Sequence, residues 1–135
     1  MLSLPEKPWR RIVDINLRFV KGYNYKTINK QIMYIFNTTY HAAGAHIDTF
    51  LEWIKKEYIT RAIQSKQLSD PQLALIMAKE DGSDGNNYSL QFKVESIDIL
   101  ESWYKETGSS LLNEMHLKFG HQVSGFSTIM KIIEL

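Results

Sequence analysis

The chain has 135 residues, 44% of them hydrophobic and 23% charged, which is the size and balance of one ordinary globular domain. It contains no cysteine, so disulfides, thiolate metal sites and a cysteine nucleophile are excluded. The net charge of +1 hides an asymmetry: residues 1–32 carry seven basic and two acidic residues, the remainder nine basic and thirteen acidic. A mildly acidic body is poorly suited to gripping a phosphate backbone. No apolar run approaches the roughly 18 residues of a membrane span, and no secretory leader is evident, so the cytoplasm is the expected compartment.

Residues 1–32 read unlike the rest. Pro5 and Pro8 stand among charges, Val13, Ile15, Leu17 and Phe19 alternate weakly with polar residues, and Lys21–Gln31 has no clear period. This stretch is expected to be an extension, either outside the native chain, with translation starting at Met33, or without ordered structure. A basic arm touching nucleic acid is the competing reading.

From Met33 the pattern sharpens. MYIFNTTYH (33–41) is rich in aromatic and β-branched residues and predicts a strand. Ile47, Phe50, Leu51, Ile54, Tyr58 and Ala62 recur at three and four residues, the stripe of an amphipathic helix that should end near Ser65. Pro71 leads into a second strand at Leu73–Lys79. DGSDGNN (81–87) supplies the glycines, asparagines and aspartates of a hairpin turn. Tyr88, Leu90, Phe92 and Val94 then alternate with Ser89, Gln91 and Lys93, a half-buried strand.

Ser96 is placed to cap a second helix, with Asp98 in its first turn. Its stripe runs through Ile97, Leu100 and Tyr104, is expected to kink or break at Gly108, and resumes at Leu111, Leu112, Met115 and Phe119. Gly120 fits the C-cap. Val123–Leu135 predicts the last strand, with Phe126, Thr128, Met130 and Ile132 on one face and Ile129 and Ile133 on the other.

The order β-α-β-β-α-β is the split βαβ arrangement of ferredoxin-like α+β domains: a four-stranded antiparallel sheet with two helices on one face. Two helices cover one face only. Several strands carry apolar residues on both faces, so the second face is expected to be covered by another copy of the chain, a homodimer through the sheet.

Asn37, Thr39 and His41 fall on one face of the first strand by alternation, and Ser89 and Gln91 of the neighbouring strand fall on the same face. Such a row would put one titratable group, His41, among hydrogen bonders inside a dimer. It is the candidate small-molecule site, with His41 as candidate base and Asn37, Thr39, Ser89 and Gln91 as candidate ligand contacts. The bland alternative is a polar face whose groups satisfy one another. His116 and His121 flank a helix C-terminus, where the dipole favours them without a ligand. No third residue gives metal-ligand spacing, so no metal and no cofactor are expected. DGSDGNN lacks the bidentate glutamate of a calcium loop. Tyr34, Phe36, Tyr88 and Phe92 could serve as stacking aromatics of an RNA-binding sheet, but the basic, glycine-rich signature is missing.

The stretches MYIFNTTYH, FLEWIKKEYI, PQLALIM, NNYSLQFKV, HLKFG and VSGFSTIMKIIEL, in this order from Met33 onward, resemble an uncharacterised bacterial family, domain of unknown function 4286. The resemblance implies a ferredoxin-like domain of the dimeric α/β-barrel type over residues 33–135. It lends a fold and no activity. Members resemble one another in starting where Met33 stands. Many also resemble Glu-His-Ile-Pro at the end of the first helix, where this chain has Glu57-Tyr58-Ile59-Thr60, so no role for that histidine carries over.

Three functions are therefore carried forward. The first is a homodimeric binding or interaction module. The second is a small cofactor-independent enzyme of monooxygenase or isomerase type, supported by analogy of fold. The third, a basic-arm nucleic-acid binder, is disfavoured by the acidic body.

Overall fold

The computed structural model describes residues 33–77 and 82–135. The extension assigned to residues 1–32, and the end of the second predicted strand at 78 and 79, lie outside the described residues. The elements follow as β1 (Tyr34–Ala42), α1 (Ile47–Trp53), a π turn (Ile54–Tyr58), α2 (Ile59–Ala62), β2 (Ser69–Ile76), β3 (Asn86–Val94), α3 (Ile97–Trp103), a second π turn (Tyr104–Gly108), α4 (Ser109–Phe119) and β4 (Val123–Lys131). Within each helical half the backbone stays helical across the π turn, so the described residues form two long helices, with single 3-10 turns at Gly44–His46 and Gly120–Gln122.

The four strands form one sheet in the order β2-β3-β1-β4, with every pair antiparallel. This is the expected ferredoxin-like α+β arrangement. Both helices pack on one face, over Tyr34, Phe36, Tyr40 and Ala42 of β1, Tyr88, Leu90, Phe92 and Val94 of β3, and Val123 and Ile129 of β4. The period of two seen in the sequence is thus the boundary between the covered and open faces. Tyr34, Phe36, Tyr88 and Phe92 all lie under the helices, so they cannot stack nucleic-acid bases on the open face.

Aromatic rings join the layers. Phe50 sits edge-on to Tyr40 and to Phe119, with centroids at 5.4 and 5.8 Å. Trp103 sits edge-on to Phe36 at 5.7 Å, and its indole N–H donates to the Ala62 carbonyl at 2.8 Å, tying the second helix to the end of the first. Arg61 and Glu114 add an ion pair at 2.7 Å between α2 and α4.

Several boundaries differ from expectation: the first helix ends at Ala62 and not near Ser65, and β3 begins at Asn86, inside the predicted turn. β2 begins at Ser69, ahead of Pro71, because it is an edge strand: a proline there removes a donor that no neighbour needs. Its ladder slips between Ser69 and Gln72, and Asp70 has φ +54°. β4 ends at Lys131, before the final apolar residues. Gly108 does not interrupt its helix; it closes the π turn. Its small size is required there, since a Cβ would lie 2.5 Å from the Trp103 ring.

The caps fall as read. Ser96 Oγ accepts from the Ile99 N–H at 3.1 Å. In the β2–β3 turn, Gly85 has φ +82°, and a Cβ there would collide with the Ala42 carbonyl oxygen. Gly85→Ala should therefore destabilise the fold by about 2 kcal/mol or more, through both backbone strain and the clash, as read by urea denaturation.

Candidate functional site

Residues directly opposite in an antiparallel pair share a face. The register therefore maps the open face as four rows running from β2 to β4. The first is Ile76, Asn87, His41 and Ser124; the second Ala74, Ser89, Thr39 and Phe126; the third Gln72, Gln91, Asn37 and Thr128. The fourth is Ser69, Lys93, Ile35 and Met130. All five residues picked from the sequence, Asn37, Thr39, His41, Ser89 and Gln91, stand on this one face.

Three of them, Ser89, Asn37 and Thr39, form a connected polar centre. Ser89 Oγ donates to Asn37 Oδ1 at 2.5 Å, and Asn37 Nδ2 donates to Thr39 Oγ1 at 3.2 Å. Asn37 is only 8% exposed. His41 is separate from that chain. Its Nδ1 meets Asn87 Oδ1 at 2.8 Å. A carbonyl oxygen only accepts, so Nδ1 carries the hydrogen and Nε2 of the neutral ring is left as an acceptor facing outward. Gln91 makes no side-chain hydrogen bond among the described residues.

Beside His41 lies an open depression of about 410 Å³, lined by Thr39, His41, Asn87, Ser124, Gly125 and Phe126. Asn87, Ser124 and Phe126 are ligand-contact candidates that sequence reasoning did not select. Alternation alone places each on a face. Only the register between strands sets all three next to His41.

Among the described residues the ionisable groups in these rows are His41 and Lys93, and Lys93 Nζ is held by Asp70 Oδ2 at 3.1 Å. Apolar surface gathers at the β4 side, where Phe126 is 57% and Met130 37% exposed. Among the described residues no cluster of three histidine, aspartate or glutamate side chains has a metal-binding arrangement.

A second polar group lies under the helices and was not read from the sequence. Thr38 and Ser127 share a hydroxyl–hydroxyl bond at 2.9 Å, and the Tyr40 hydroxyl bonds to both Thr38 and Tyr58. Burial raises the Tyr40 hydroxyl well above its ordinary value and pushes Tyr58 up to about 12. Both prefer the neutral form in the folded state. Their contribution to stability is complete below about pH 10, the unfolded value, and falls as pH rises above it, the share of Tyr58 being lost as pH passes about 12. An alkaline titration followed by fluorescence should show cooperative unfolding in that window, shifted to higher pH by Tyr58→Phe.

A family model, domain of unknown function DUF4286, matches residues 33–133. The chain belongs to this family. Among solved structures, the DUF4286 domain is similar to a dimeric ferredoxin-like protein from an uncultured marine organism, solved at 1.85 Å resolution. The TM-score is 0.56 at 9% identity, over 77% of this chain and 98% of the other, a likeness of fold alone. No curated protein matches. No helix among the described residues of the DUF4286 domain is long and apolar enough to cross a membrane.

Proposed function

We propose that this DUF4286 domain is a homodimeric binding module whose two open sheet faces meet and enclose its polar centre. One observation carries the reading: on the face away from the helices, the polar residues of β1 and β3 border the apolar Phe126 and Met130 of β4, and Phe126 is more than half exposed. A lone subunit leaves that apolar border in water, at about 25 cal/mol for each Å². The face is also large enough. Four strands at about 4.8 Å spacing and about 30 Å length cover roughly 570 Å² of plane, of the same order as the ~800 Å² per partner of a stable interface. The dimeric state of the marine ferredoxin-like protein is in keeping with this.

In this reading residues 33–135 are the functional unit and 1–32 an accessory extension. Asn37, Thr39, His41, Ser89 and Gln91 line the space between subunits, where a small polar molecule can bind. The cytoplasm is the proposed compartment, in line with the cysteine-free composition.

The His41–Asn87 pair favours a second reading, a small cofactor-independent enzyme in which the outward Nε2 of His41 accepts a proton.

Light scattering on the full chain tests the main reading. Twice the mass of 15.7 kDa is the expected result, and a monomer at micromolar concentration overturns it.

A further inference from the structure

The depression beside His41 has a distinct chemistry. Its lining among the described residues offers one imidazole acceptor, one amide, two hydroxyls and a half-exposed phenyl ring, with no carboxylate, lysine or arginine. Asn87 Oδ1 is taken by His41, which leaves its Nδ2 to donate to a ligand. Ser124 makes no side-chain hydrogen bond among the described residues and can either donate or accept. Thr39 Oγ1 accepts from Asn37, so its own hydrogen is free to donate.

The lining therefore presents both donors and acceptors to a ligand. Vicinal hydroxyls, each both donor and acceptor, match that pattern. Phosphates and carboxylates do not, because the one lysine on the face is two rows beyond Thr39 and already paired with Asp70. An apolar ligand would strand four polar groups. Phe126 supplies a flat platform for a ring's C–H face. The volume, about 410 Å³, falls in the range of small-molecule sites.

We propose that this depression binds a neutral polyhydroxyl molecule, a monosaccharide or comparable cyclic polyol. Its ring lies on Phe126 and its hydroxyls reach His41 Nε2, Asn87 Nδ2, Ser124 and Thr39. The assignment rests on the dimeric reading, because the partner's face closes the open side of the depression.

The test uses the full chain, with D-glucose, D-mannose, L-rhamnose and myo-inositol as probes and benzoate as the anionic comparison. Saturation-transfer NMR should show transfer to at least one polyol. Backbone amides of Thr39, Ser124 and Gly125 should shift in a saturable way, and that readout needs no variant. Asn87→Ala should weaken binding about tenfold, and Phe126→Tyr, which keeps the ring, should retain it. A dimer that binds none of the polyols, or that prefers benzoate, overturns this assignment and leaves the dimeric reading standing. A monomer by light scattering overturns both.

Discussion

Trp103→Ala should cost about 4 kcal/mol of folding stability, the largest loss expected from any single truncation in this domain. The indole is 1% exposed, edge-on to Phe36 and wedged against Gly108. Its removal leaves a hole that a sheet on one side and a π turn on the other cannot close. It also strips the Ala62 carbonyl of its donor, which adds the penalty for an unpaired buried acceptor. Urea denaturation of the two proteins checks this. A loss under about 1 kcal/mol would mean that the second helix is held by something other than this ring. Trp103→Phe should recover part of the packing but not the hydrogen bond.

Phe126→Glu should convert the dimer to a monomer while leaving the subunit folded. Phe126 is exposed in the isolated chain, so a charge there costs the monomer little. In a face-to-face pair the same charge loses water, and the one lysine of the face among the described residues, Lys93, is already paired with Asp70. A weakening of roughly a hundredfold or more in the dimerisation constant is expected, measured by sedimentation equilibrium. Circular dichroism should be unchanged. An intact Phe126→Glu dimer would place the interface elsewhere than on this face.

Much of this architecture is legible in the sequence, and the reasons are local. Ser89 and Gln91 alternate with Leu90 and Phe92 because the pleat separates wet from dry, so the covered face is readable without coordinates. Ser96 announces a helix start because its hydroxyl takes an orphan N–H. Asn37, Thr39 and His41 could be grouped for the same reason. What stayed hidden depends on distant partners. The π turns ending at Tyr58 and Gly108 leave no periodic signature, and the sequence suggested a break at Gly108 where the cause is the bulk of Trp103. The start of β2 was missed because Pro71 argues against a central strand, and nothing local says that this strand is at the edge. Asn87 and Ser124 join His41 only through the register of two non-adjacent strands.

The two rims of the sheet are not alike. β2 is spoiled as a template by Pro71, by the slipped ladder and by the left-handed turn at Asp70. β4 runs nine regular residues with none of these defences. A layer that can be extended from one side only cannot grow into a ribbon. Joining of subunits through their open faces leaves both rims outside the contact, and the defences of β2 keep such a pair from adding strands along that side.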